Sequence, residues 1–166
     1  MLSKSIFFMT FISISFNLTA QEFVVGQKWP GNKEADFSGE SVQSTSGETL
    51  QDCVNQSSSN LPIFKFEEGN FTDVKSTDNL CKAIISLNQK VIQEWGNGIV
   101  LRITEAYDQD GEHSIYSLHN EGRAADMTTS DRDINKLGRL AYLARESGFS
   151  WVYYEHNHIH GSVKKD

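Results

Sequence analysis

Leu80, Ile84, Leu87, Val91 and Trp95 recur at helical spacing. That period puts five apolar side chains on one stripe of one helix. Ser76 or Thr77 can cap its start, and Gly96 and Gly98 end it. A helix with a single apolar face needs another layer to cover it. The rest of the chain offers that layer as short strands, with patterns at 61–66, 99–104, 124–128, 151–154 and 159–163. A second helix is predicted to start near Ser130 or Asp131, with Leu137, Leu140, Ala141 and Ala144 on its inner face and Gly148 at its end. Helices and strands are grouped, not alternating, which predicts an α+β fold, a two-layer α/β sandwich. A chain of 166 residues suits one such core. The apolar stripes are core and carry no chemistry.

Residues 1–20 read differently. Lys4 precedes an apolar stretch of Ile6, Phe7, Phe8, Met9, Phe11, Ile12, Ile14 and Phe16, and Leu18-Thr19-Ala20 offers a cleavage site before Gln21. This is the pattern of a secretory signal peptide. The stretch is short for a membrane span and broken by Thr10, Ser13 and Ser15. A secreted, extracellular protein is expected, or a periplasmic one in a bacterium, with no membrane span. Removal of the leader takes away one cation and no acid, so the net charge moves from −7 to −8. Such a surface repels phosphate backbones, which argues against nucleic acid. No run of Lys and Arg exists, so heparin is not an expected partner. Residues 21–44 are polar and read as a loose segment ahead of a domain at 45–166, and a short helix is predicted near 48–56.

Export allows Cys53 and Cys81 to form a disulfide, although spacing alone does not show that they meet. Cys81 lies in the helical pattern and could equally be a small buried residue. Asn55 and Asn70 open glycosylation acceptor patterns, which matter only in a eukaryotic host.

All five histidines lie after residue 112. His119 and Asp126 stand seven apart, and His156, His158 and His160 follow Glu155 near the end. Zinc takes imidazole nitrogen and carboxylate oxygen in a tetrahedron, and catalytic-type sites use three protein ligands and leave one position for water. His119, Asp126 and a histidine from the last strand can supply those three. His158 and His160, two apart, point to one face of a strand, so either could reach the metal. Glu155 is placed to take a proton from a metal-bound water.

Two acidic groups stand in turns next to strands. One is Glu67, Glu68 and Asp73, and the other is Glu105, Asp108 and Asp110. Taken alone, loop acids in so acidic a chain are usually just solvated. Six carboxylates brought together could instead share two calcium ions, which take six to eight hard oxygens. The 12-residue calcium-loop pattern is absent.

The stretches LRITEAYDQDG (101–111), SLHNEGRAADMTTSDRD (117–133), WVYYE (151–155) and HIH (158–160) resemble the signalling domain of hedgehog proteins. The match is dense over 99–163 and extends more weakly to about residue 45. The resemblance implies that family's α+β fold, of the hedgehog and zinc D-Ala-D-Ala carboxypeptidase type. It implies one zinc on His119, Asp126 and His160, with Glu155 beside the zinc water and His113 and His158 lining the cleft. It implies two calcium ions on Glu67, Glu68, Asp73, Glu105, Asp108 and Asp110. It further implies calcium-dependent binding to cell-surface receptors or co-receptors that carry immunoglobulin-like or fibronectin-type domains. The bacterial carboxypeptidases share the SxHxxGxAxD pattern of 117–126 and the ExxH pattern of 155–158, which keeps a zinc peptidase as the alternative. In an enzyme Glu155 would be the base, and His113 or His158 would stabilise the oxyanion.

The chain departs from the family in several places. The loop between Glu155 and His158 is one residue shorter. Glu112 replaces a cleft histidine, and Gly161 replaces the cysteine after HIH. Gln21 or a neighbour stands where animal ligands carry a fatty-acylated cysteine, so no lipid anchor is expected. The basic glycosaminoglycan-binding stretch is missing, and with the chain ending at Asp166 no autoprocessing domain is expected.

Overall fold

A computed structural model describes residues 21–42, 45–54, 60–65, 72–96, 98–108 and 113–166. The predicted leader, the acceptor residues Asn55 and Asn70, and Glu67, Glu68, Asp110 and Glu112 lie outside them.

The core is a six-stranded sheet in the order β1-β7-β8-β6-β5-β3. Its strands are β1 (Lys28–Trp29), β3 (Ile63–Phe64), β5 (Leu101–Glu105), β6 (Ala124–Thr129), β7 (Trp151–Tyr154) and β8 (Ile159–Ser162). All neighbours are antiparallel except β3 and β5. A separate two-stranded ribbon pairs β2 (Gln51–Asp52) with β4 (Lys75–Ser76). The helices are α1 (Ala35–Ser38), α2 (Asp78–Trp95) and α3 (Leu137–Arg145). The architecture is α+β.

Side chains alternate across a strand. Leu101, Ile103, Ala125, Met127, Val152 and Ile159 therefore face one way, and they join the core with Leu80, Ile84, Leu87 and Val91 of α2 and Leu140, Ala141 and Ala144 of α3. Arg102, Thr128, Asp126, His160 and Tyr153 face the other way and are cross-strand neighbours. This outward face carries the polar chemistry. Gly161 sits on the core face, where a Cβ would come within 2.7 Å of the Phe149 ring.

Helix α2 keeps its sequence signals. The Thr77 hydroxyl accepts from the Leu80 N–H at 3.3 Å, and Gly96 ends it with φ of 53°. Helix α3 begins later than predicted. Asp131 accepts from the Thr129 hydroxyl and Asp133 from the Asn135 N–H, which hold 129–133 as a turn and start a 3-10 turn at Ile134–Lys136. Over the described residues to 54, the predicted helix near 48–56 is one 3-10 turn, Gly47–Thr49, followed by β2. Cys53 and Cys81 are joined in a disulfide that ties the segment before residue 55 to α2.

The polar stretch 21–42 is bound along the domain, contrary to the loose segment that its composition suggests. Phe23 is buried and its N–H donates to the Gly138 carbonyl. β1 forms the sheet edge on β7, and the Trp151 indole donates to the Gly31 carbonyl at 2.8 Å. At the end of α1 and just past it, the Arg123 guanidinium donates to the carbonyls of Ser38 and Glu40. Few apolar residues are needed there, because polar groups of the domain satisfy the segment's backbone. No helix among the described residues is long and apolar enough to cross a membrane.

Candidate metal centre

Asp126 and His160 are partners in the β6–β8 register, on the outward face. His119 comes from the 3-10 turn Leu118–Glu121. Ser117 caps that turn by accepting from the His119 N–H, and Gly122 closes it in the left-handed region at φ 63°. A side chain at Gly122 would also meet Leu50 at 2.7 Å, so glycine is required twice over. The turn swings His119 over β6. Its Nε2 then lies 3.5 Å from Asp126 Oδ1 and 3.3 Å from His160 Nδ1, and His160 Nδ1 lies 2.9 Å from the same oxygen. Ligand atoms of these three residues all fall within 4.8 Å of one another. His158 stands beside them, with Nε2 3.3 Å from the other Asp126 oxygen.

Each imidazole has its outer nitrogen fixed. His119 Nδ1 lies 2.7 Å from the Ala106 carbonyl, which only accepts, so Nδ1 carries a proton and Nε2 is the nitrogen turned to the cluster. His160 Nε2 lies 2.9 Å from Glu34 Oε1. This donor set of two oriented imidazoles and one buried carboxylate fits a tetrahedral N/O metal.

The electrostatics are those of one acid among three bases. Burial opposes ionisation of Asp126, but hydrogen bonds from His119, His158 and His160 hold its carboxyl well below the usual range. Burial likewise opposes a charged His160, yet Asp126 and Glu34 together raise it to about 10 in the metal-free chain. The Asp126 hydrogen bond raises His158 against its own partial burial.

The second acidic group adjoins this centre. The β5–β6 register slips between Ile103 and Glu105, so Glu105 sits opposite Asp126. Strict alternation would have turned Glu105 inward with Leu101 and Ile103. The bulge re-aims it outward. Ligand atoms of Glu105, Asp108 and His113 fall within 4.8 Å of one another. Asp73 accepts from the Ala106 N–H at 3.1 Å, which brings this one residue of the first acidic group to the same turn. His113 joins the two groups. It bonds Glu105 at 2.5 Å and stacks on His119, with ring centroids 4.4 Å apart. The Glu105 hydrogen bond raises His113, and the same contact lowers Glu105.

Glu155 follows β7, and its N–H bonds the His158 carbonyl to close the turn into β8. Its carboxylate lies 3.8 Å from His158 Nε2 and is 38% exposed. A polar cleft of about 350 Å³ opens beside Asp126 and His158, with Lys65, Arg102, Thr128 and Arg132 also lining it. Glu34 is the residue at this centre that sequence reasoning missed. It lies in the polar stretch 21–44, where no period or spacing marks it.

The family model for the hedgehog amino-terminal signalling domain matches residues 20–162. Over 105 residues, 63% of this chain, the sequence is 53% identical to an Indian hedgehog protein of Gallus gallus and 50% identical to a Sonic hedgehog protein of Danio rerio. Over the same length it is 45% identical to a protein hedgehog of Drosophila virilis. These matches span 26%, 25% and 22% of the relatives' own lengths, about a quarter.

Proposed function

The chain belongs to the family of hedgehog amino-terminal signalling domains, and on that premise we propose that it is a secreted, metal-loaded ligand for cell-surface receptors. In this reading His119, Asp126 and His160 hold one zinc. Glu67, Glu68, Asp73, Glu105, Asp108 and Asp110 hold two calcium ions. The observation that carries the reading is the gathering of Asp73, Glu105 and Asp108 about the Ala106 turn, next to the zinc-type centre. Peptide hydrolysis has no use for a second carboxylate group there. A divalent site on buried Asp73 and Asp108, with Glu105 part-exposed, leaves one side for a partner that completes its coordination. The test is binding of the purified chain to receptor ectodomains built of immunoglobulin-like or fibronectin-type domains. Binding with calcium and its loss on chelation support the reading. Binding that survives chelation contradicts it.

A second reading rests on the polar cleft beside Asp126 and on Glu155 at its margin. The chain would then be a zinc peptidase of the D-Ala-D-Ala type. The chemistry a zinc ion supplies is Lewis acidity towards a water or a carbonyl. Glu155 would accept the proton, and His113 or His158 would stabilise the oxyanion. Incubation with peptidoglycan stem peptides tests this. Zinc-dependent cleavage that Glu155→Ala abolishes supports it, and absence of cleavage by the zinc-loaded chain excludes it for those peptides.

A further inference from the structure

The histidine at the centre of the cluster is held from outside by a residue 126 positions away in sequence. His160 has two ring nitrogens, and the geometry divides their work. Nδ1 faces Asp126 Oδ1 at 2.9 Å and His119 Nε2 at 3.3 Å, so it is the atom turned towards a metal. Nε2 points away, 2.9 Å from Glu34 Oε1. A carboxylate oxygen only accepts, so Nε2 keeps a proton towards Glu34, and a metal that displaces the proton between Nδ1 and Asp126 takes the Nδ1 lone pair.

We propose that Glu34 is a positioning residue of the metal centre, and that the strap of residues 34–42 is thereby a working part of it. This rests on the reading that His119, Asp126 and His160 hold zinc. The His119 ring is oriented by the backbone carbonyl of Ala106, the residue after β5, whose own N–H is held by Asp73. His160 is oriented by a side chain from a one-turn helix whose start has no side-chain cap. Something else must hold that helix in place.

The fixing groups are Arg123 and Glu121. Both are almost fully buried and are paired at 2.8 Å. Arg123 donates to the carbonyls of Ser38 and Glu40, and Glu121 accepts from the Ser41 hydroxyl at 2.6 Å and from the Val42 N–H. Ser38 adds a hydroxyl contact of 2.8 Å to Ser162, two residues after His160. Glu121 and Arg123 flank Gly122, the residue that closes the His119 turn. The strap is therefore keyed to the turn that carries one ligand, and it presents Glu34 to the other. A carboxylate behind a ligating imidazole fixes the ring and increases its basicity. Docking of the strap and metal affinity should strengthen each other.

The test measures zinc affinity by chelator competition for the wild-type chain, Glu34→Ala, Glu34→Gln and a control, Asp36→Asn, which removes an exposed carboxylate from the same helix. The visible spectrum of the cobalt-substituted proteins reports ligand geometry. Melting of the metal-free proteins shows that each is folded. Glu34→Ala should weaken zinc binding by about 10–100-fold and alter the cobalt bands. Glu34→Gln, of equal size, should weaken it less, and Asp36→Asn should stay within about twofold of wild type. If Glu34→Ala does not fold, Glu34→Gln carries the test. Affinity within about twofold of wild type with an unchanged cobalt spectrum overturns the proposal, even if metal-free stability falls, because Glu34 would then be only structural. A wild-type chain that takes up no zinc overturns the metal reading first, and this inference with it.

Discussion

Asp126 and His160 face each other across the β6–β8 ladder, and their side chains meet at 2.9 Å on the face of the sheet opposite α2 and α3. The pairing is set by strand register. A slip of one residue in either strand would turn that strand's side chain into the core. The same register that buries Met127 and Ile159 therefore builds the centre.

Replacing Asp126 by Asn keeps the shape and removes the charge. Zinc affinity should fall by more than the roughly 10–100-fold that a supporting group costs. Chelator competition checks this. Wild-type affinity in Asp126→Asn would remove Asp126 from the ligand set.

Zinc uptake should release a proton. His160 is raised to about 10 in the metal-free chain: burial resists the charge, but Asp126 and Glu34 outweigh it. A ligating imidazole must be neutral, so the metal displaces that proton at any pH below about 10. Apparent zinc affinity should rise about tenfold per pH unit between about pH 6.5 and 9. Titration calorimetry in two buffers reads the proton directly, and an affinity flat across this range would contradict the assignment. The stability sign runs the other way without metal. A folded-state value above the ordinary 6.5 stabilises the fold fully below 6.5, and that contribution is lost as pH rises towards 10.

The disulfide closes a loop with a sequence separation of 28. Loop-closure entropy of that size is worth about 3.6 kcal/mol. The double variant Cys53→Ser with Cys81→Ser should lose about that much in denaturant unfolding. A loss below roughly 0.5 kcal/mol would mean that the denatured chain is already constrained there.

Arg123→Leu should be severe. It strands the Glu121 carboxylate in the interior and frees the carbonyls of Ser38 and Glu40. A buried pair broken on one side costs about 3–5 kcal/mol. Adding Glu121→Leu removes the stranded charge and should recover part of that loss. Denaturant melts of the single and double variants measure it, and a double variant no better than Arg123→Leu would show that the strap contacts dominate.

Much of the fold was legible because it is periodic. The stripe from Leu80 to Val91 follows from helical spacing, and of the two cap candidates and two glycines at its ends the helix uses Thr77 and Gly96. The His119, Asp126 and His160 grouping was suggested by clustering and by resemblance, since no spacing rule brings a 3-10 turn over two strands. Three things were not legible. Strand alternation would have put Glu105 inward, and only the β5–β6 bulge turns it out. The start of α3 was read too early because Asp131 and Asp133 hold a turn where the sequence pattern already looked helical. Glu34 was invisible because its contact spans 126 residues through a polar segment whose order depends on Arg123 and Glu121, not on its own composition.

The most direct test of the centre is metal content. The folded chain is equilibrated with zinc, stripped of loosely bound ions with a mild chelator and assayed by elemental analysis, beside His119→Ala and His160→Ala. The expected result is one zinc per wild-type chain and none in either variant, with His158→Ala still loaded. Zinc retained at the wild-type level after His160→Ala, or no zinc in the wild-type chain, would contradict the assignment.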